Sequence, residues 1–448
     1  MVKSEALLSE LDELLHKQQR LMNIAFANRS TAEATKTTTE EEVEARAIPK
    51  GSCVYLWKQD PSVTRVGIRK VFLPHIVNKG PRDNDIEVVM EITNSKGAVE
   101  KDHKATEPAL PDSNNDFLKD IDGDPFAFDL VHTYTVARLT LDMYQRDLGV
   151  ADWRWQWDQK TEPGTPKTPL RIIAHAGEKC NAVYHRGKKV LKFYYYTPQE
   201  GKTTYLCRSF DIVAHETGHA ILDALKPKLY PIKNGQSGAL HESFADLTAI
   251  FSVLNQLDLC EDVIAETKGD LRQAKYVTAI GEQFAGAMRA SEGKVTHADD
   301  GDDDNEMEES AGMRDANNTL VGSEVGANDI YALANVFTGY VWDVLVSIFN
   351  WERDPKLGSS DAETLLRVSR TVRRLLLTAL TIAGDVPDFT ELSFAMERAC
   401  ETIREHGVKD IGDIAKYKEF IVSHRAKREL AAAGKPPQRR ASVDLGSW

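Results

Sequence analysis

The stretch "DIVAHETGHAILD", residues 211–223, sets His215 and His219 four positions apart, with Glu216 beside the first. Residues at that spacing share a face of an α-helix, one turn apart. Ile212, Val213, Ala220, Ile221, Leu222 and Leu225 supply a helix-like apolar pattern, and no glycine or proline interrupts it before Gly218. Two neutral imidazoles can therefore point at one ion. Zinc accepts such nitrogens at roughly 2.0–2.1 Å and takes about four ligands. Glu216 is placed to accept a proton from water activated by the ion, which is the H-E-x-x-H arrangement. The competing reading is a helix that carries two histidines by chance.

A third ligand can come from downstream. In "NGQSGALHESFADLTAIF", residues 234–251, Ser237 and Gly238 are expected to make a turn ahead of a second helix. Glu242 and Asp246 stand four apart and share a face of that helix. Glu242 can complete a His2Glu set. Asp246 can accept a hydrogen bond from the far nitrogen of a liganding histidine and so fix its tautomer.

"HETGH" followed by "SGALHESFAD" resembles the thermolysin-like zinc metallopeptidases. Their pattern is H-E-x-x-H, a Ser-Gly-Ala segment, then Glu with Asp four residues on. The resemblance implies that His215, His219 and Glu242 hold zinc, that Glu216 is the general base, and that Asp246 supports a ligand histidine. It extends upstream to "CNAVY", where Asn181 and Ala182 match the family's Asn-Ala pair on an edge strand that holds the substrate backbone. The following "KKVLKFYYYT" is rich in β-branched and aromatic residues, as strands are. An edge strand binds an extended peptide through main-chain hydrogen bonds. Tyr230 falls where the family has an oxyanion tyrosine, and Arg314, in "GMRDANN", where it has an arginine for the substrate carbonyl. One position departs. In "GANDIYALANVFTGYVWDVL", residues 326–345, the place of the family's catalytic histidine falls on Tyr331. A tyrosine hydroxyl can also donate to an oxyanion.

The implied function is zinc-dependent hydrolysis of peptide bonds in a peptide or protein substrate, with water as the nucleophile. The alternative is a zinc-containing protein of the same fold that binds peptides or proteins with little turnover, and the Tyr331 departure motivates it. An aminopeptidase-like relative would need an acidic anchor for a free amine, and no "G-x-M-E-N"-type motif supplies one.

These residues need a scaffold that brings two helices and a strand together. With 448 residues the chain can bury a large core. The expected class is α+β with two lobes. Residues 48–235 form a β-rich lobe that includes the zinc helix, and 236–425 a mainly helical lobe that carries the third ligand. In the family the cleft runs between such lobes. Residues 1–47 are expected as an apolar-striped helix and a polar linker, and 426–448 as a disordered tail. "CVYLWKQ" and "DIEVVMEI" alternate as strands do. "DPFAFDLVHTYTVARLTLDMYQRDLG" reads as one long helix whose His132 is packed or exposed rather than a ligand. The tryptophans of "DWRWQWDQ" alternate, as on one face of a strand.

A formal net charge of −13 argues against nucleic acid and anionic membranes as general partners. No run of about eighteen apolar residues is seen, so no membrane span is expected. The five cysteines are scattered, without C-x-x-C spacing, and read as reduced structural thiols. The charged start lacks the apolar core of a secretory signal, so the expected location is the cytoplasm, with export by a signal-less route as the alternative. Oligomeric state is left open. The acidic run "HADDGDDDNEMEES" offers carboxylates of the kind calcium prefers, but without the regular spacing of a dedicated loop, so a solvated insertion is the first reading and Ca2+ the second.

Overall fold

Alternating burial along Ser52–Trp57 (β1) matches a strand with one face inward, and β1 pairs antiparallel with Ile68–Leu73 (β2). The computed structural model describes residues 51–74, 80–89, 109–161, 165–197, 202–230, 235–280, 314–353, 360–405 and 412–433. The expected N-terminal helix and linker, and the acidic run considered for calcium, lie outside the described residues.

Further strands are Ile86–Val88 (β3), Leu170–Ile173 (β4), Ala182–His185 (β5) and Val190–Phe193 (β6). They form one mixed sheet in the order β3-β4-β6-β5. β3, β4 and β6 run parallel, and β5 closes one edge antiparallel to β6, with Ala182 opposite Phe193. Tyr195–Tyr196 (β7) and Thr204–Tyr205 (β8) make a small antiparallel pair, as do Ala279–Ile280 (β9) and Arg314–Asp315 (β10).

The helices are Pro125–Leu148 (α1), Phe210–Leu225 (α2), Gly235–Leu254 (α3), Leu257–Thr267 (α4), Lys275–Thr278 (α5), Ile330–Glu352 (α6), Asp361–Ile382 (α7), Phe389–Glu405 (α8) and Ile414–Lys427 (α9). The architecture is thus α+β, with small sheets in the N-terminal region and a mainly helical C-terminal region. The chain divides into two units, Gly51–Leu141 with Arg154–Trp448, and Met1–Lys50 with Asp142–Trp153. Every residue of the site described below belongs to the first. In the second, the described part is the end of α1 and the turn after it, where Gly149 takes the left-handed φ of 66° that helix ends favour.

Two helices are buried on all sides. Every residue of α2 from Phe210 to Ala224, and of α3 from Gly238 to Leu254, is buried. Such helices have no polar face, so their sequences lack a clean amphipathic stripe. α2 packs on α3, and α3 packs on α6. Gly218 makes the first of these contacts close. A Cβ there would stand 2.9 Å from Thr248 Cβ and 3.0 Å from Ala245 Cα, so α2 continues through this glycine while α3 lies against it.

Four local expectations change. Ser237 and Gly238 lie inside α3, which begins at Gly235. The tryptophan segment is not a strand. Gln156–Asp158 is one turn of 3-10 helix, and the indoles of Trp155 and Trp157 stack at 5.9 Å while donating to the carbonyls of Asp85 (2.7 Å) and Thr168 (2.8 Å). Order also extends past 426. Arg428 donates to Asp343 (2.7 Å) and to Asn318 Oδ1 (2.8 Å), and Leu430 and Ala433 are buried. Finally, α6 is 23 residues long and apolar enough by composition to cross a bilayer, with 83% of its most apolar window buried inside the protein. That burial is what a core helix of a folded domain shows.

Candidate metal centre

α2 presents His215 and His219 from one face, and their Nε2 atoms lie 3.1 Å apart. Two facing lone pairs at that distance repel unless a proton or a cation lies between them. Glu216 belongs to the same buried group: a carboxylate oxygen lies within 4.8 Å of a ring nitrogen of each histidine. His215, Glu216 and His219 thus form a buried candidate metal-binding triad with H-E-x-x-H spacing. α3 brings Glu242 to the other side. Its Oε2 lies 3.6 Å from His215 Nε2 and its Oε1 3.5 Å from His219 Nε2.

The outer nitrogens of the two histidines have different partners. His215 Nδ1 lies 3.0 Å from Asp246 Oδ1, a carboxylate four residues after Glu242 on α3. His219 Nδ1 lies 3.4 Å from Nδ1 of His241, and the two rings stack at 5.6 Å. Both contacts orient a ring so that Nε2 faces the centre.

Arg314, on β10, closes a third side. Its Nε donates to Asp246 (3.0 Å), Nη1 lies 3.3 Å from Glu242 Oε2, and Nη2 lies 3.4 Å from His215 Nε2. The β9–β10 pairing places it there, with Arg314 opposite Ile280. Tyr331, second residue of α6, turns its ring toward Arg314, with 5.4 Å from guanidinium to centroid.

Burial and charge set the protonation of the group. Burial pushes His215 down, but Asp246 and Glu242 outweigh it and hold its pKa up to about 10. Burial alone dominates at His219, which is held well below the usual histidine range. Burial likewise takes His241 down to about 4. For Glu242, burial works upward, but the positive charges of His215 and Arg314 outweigh it and hold it below the carboxylate range. A buried carboxylate of this kind is tolerated only when it is paired.

Beyond the triad, β5 runs beside α2. Ala182 begins it, and Asn181, just before it, accepts a backbone bond from Tyr194 (3.1 Å). Asp223, two turns after His215 on α2, accepts from the Tyr184 hydroxyl (2.6 Å) and from Arg186 Nε (2.8 Å). Tyr230 sits against this group. Its hydroxyl accepts from the Arg186 backbone N–H (3.3 Å), and its ring meets those of Tyr184 and His241 edge-on at 5.5 Å and 5.7 Å. The structure therefore gathers His215, Glu216, His219, Glu242, Asp246 and Arg314 directly. It sets Tyr331 behind Arg314 and Tyr230 behind His241.

His241, Arg186, Tyr184 and Asp223 join the site only through the tertiary structure. His241 stands next to Glu242 in "ALHESF", and that adjacency was the one signal available. Its contact with His219 depends on how α3 crosses α2.

A second buried group carries metal-ligand side chains: Asp129 on α1, His175 after β4, and Cys207 ahead of α2. Its carboxylate is already engaged. Arg208 donates to both Asp129 oxygens (2.7 and 2.9 Å), and His175 Nε2 lies 2.9 Å from Oδ2. Burial raises the Cys207 thiol well above its usual range. These bonds tie α1 to the segments after β4 and ahead of α2. Cys53, Cys180, Cys207, Cys260 and Cys400 form no disulfide.

Compared with known proteins, the chain matches no family model, and no curated protein matches it.

Proposed function

We propose that the chain is a zinc-dependent peptidase that hydrolyses peptide bonds with water. The observation that carries the reading is the triangle of His215 Nε2, His219 Nε2 and the Glu242 oxygens, with edges of 3.1, 3.5 and 3.6 Å. Atoms bound at roughly 2.0–2.1 Å around a tetrahedral ion stand about 3.3 Å from one another. Two imidazole nitrogens and one carboxylate suit zinc, so the residues present fit the ion, and they would hold it as a His2Glu set once His215 gives up its proton. When bound, zinc supplies Lewis acidity at a carbonyl and lowers the pKa of water.

The protein's own groups do the rest. Glu216 accepts a proton from the attacking water and passes it to the leaving amine. β5, the last strand of its sheet, takes the peptide along its outer edge from Asn181 and Ala182. Arg314, held by Asp246, faces the substrate carbonyl. Tyr230 or Tyr331 donates to the oxyanion. Burial chiefly keeps the Tyr230 phenol protonated, with Asp223 and Glu216 acting in the same direction against Arg186. A phenol that keeps its proton can donate it as a hydrogen bond.

The test is metal content by mass spectrometry with peptide cleavage on the same samples. Wild type is expected to hold about one zinc per chain. His215→Ala loses zinc and cleavage together. Glu216→Gln keeps zinc and loses cleavage by about 10²–10⁴-fold. Zinc with tight peptide binding but no cleavage in wild type would replace this reading with a binding protein. No zinc uptake by wild type would remove the metal centre altogether.

A further inference from the structure

We infer that Arg186 is a positioning residue for the Tyr230 phenol, fixing it relative to both the edge strand β5 and the helix α2; the inference rests on the peptidase reading for its catalytic consequence. Arg186 directly follows β5, and Tyr230 lies 44 residues further on. One residue grips the tyrosine in two ways. The Arg186 guanidinium lies over the Tyr230 ring, 4.2 Å from its centroid, and the Arg186 backbone N–H donates to the hydroxyl oxygen at 3.3 Å.

The guanidinium is itself held. Asp223 on α2 takes bonds from Nε (2.8 Å) and from Nη2, and Nη2 also donates to the Pro227 carbonyl at 2.7 Å. A planar fork held at Nε and Nη2 has little freedom, and lysine cannot reproduce its geometry. Asp223 is fully buried, and its second donor is the Tyr184 hydroxyl on β5 at 2.6 Å. The edge strand, the helix that carries His215 and His219, and the phenol are therefore tied at one point.

The bond from the Arg186 amide has a chemical consequence. It occupies a lone pair of the Tyr230 oxygen and leaves the O–H hydrogen free to point elsewhere. An oxyanion donor works when its direction is set before the reaction. A displacement of about 1 Å at such a group can cost about 100-fold in rate. A purely structural Arg186–Asp223 bridge would stabilise the fold without any link to Tyr230, and the experiment separates the two.

Arg186→Lys keeps a positive charge beside buried Asp223. Arg186→Ala with Asp223→Asn removes both charges, so no orphan carboxylate remains. Each is compared with wild type and with Tyr230→Phe. The first measurement is 19F NMR of 3-fluorotyrosine-labelled protein, with the Tyr230 resonance assigned by its loss in Tyr230→Phe. The second is kcat and KM for a peptide substrate, with zinc content checked. The expected result is a shifted Tyr230 resonance in both Arg186 variants. It comes with a fall in kcat of about 100-fold, KM little changed and zinc retained. In the Tyr230→Phe background, Arg186→Lys then costs almost nothing further. An unmoved resonance would overturn the inference whether or not the protein cleaves peptides. A shifted resonance with normal kcat would overturn its catalytic part. A shifted resonance in a wild type that holds no zinc or cleaves nothing would uphold the positioning and sink the peptidase reading instead.

Discussion

His219 Nδ1 stands 3.4 Å from His241 Nδ1, with both rings buried. His219 turns Nε2 toward His215 and Glu242, so its proton belongs on Nδ1, and His241 must accept it there. His215 leans on a carboxylate, whereas His219 leans on a neutral ring. We expect His241→Leu to weaken zinc binding by about 10–100-fold, the usual effect of losing such a partner. His241→Asn should keep most of the affinity, because an amide oxygen accepts the same proton. Chelator competition measures both. Equal affinity in wild type and the leucine variant would leave His241 a packing residue.

Gly218→Ala should destabilise the protein by about 1–3 kcal/mol through overpacking against Thr248 and Ala245. The added methyl must push α3 away from α2. It should therefore also weaken zinc binding, since His219 and Glu242 sit on the two helices being separated. Denaturant unfolding and zinc titration together check this. A variant as stable as wild type would mean that α3 yields at no cost.

His132 is fully buried on α1, stacked on Phe128, and burial takes its pKa down to about 4. Asp129 opposes that shift, and Arg208 adds to it. The unfolded chain binds the proton near the ordinary value of about 6.5, so between the two values the unfolded state carries more protons. Stability from this residue is thus complete above about pH 6.5 and is lost as pH falls toward about 4. From pH 7 to pH 5 the loss should be on the order of 2 kcal/mol. His132→Phe should flatten that part of the curve. An unchanged slope in the variant would assign the acid sensitivity to other groups.

Zinc should stabilise the folded protein by mass action. At free zinc about 1,000-fold above its Kd, the gain is about 4 kcal/mol. Tm should rise with zinc in wild type and stay flat in His215→Ala. Chelator should reverse the rise. A wild-type Tm that does not respond to zinc would contradict a folded-state site.

The 3.6-residue period alone placed His215 with His219, and Glu242 with Asp246, because helix geometry sets which residues share a face. Residue types alone pointed to a divalent ion, since two imidazoles and a carboxylate at that spacing have little else in common. The strand alternation at Ser52–Trp57 and the long helix from Pro125 were equally legible. Local rules failed where burial overrode them. Ser237 and Gly238 suggest a turn, yet both lie in α3. The alternating tryptophans suggest a strand, yet their indole N–H groups bond to carbonyls and hold an irregular turn in place.

Only the tertiary structure decided which helices meet. His219 reaches Glu242 and His241 because α3 crosses α2 at Gly218, and no spacing in the chain encodes that crossing distance. Arg186 meets Tyr230 directly across 44 residues of sequence, with its guanidinium held by a carboxylate on a third element. Arg314 meets Asp246 across 68. Short-range periodicity determines which side chains point the same way. Close packing of glycine-thinned, fully buried helices determines which of those faces come together, and at what distance.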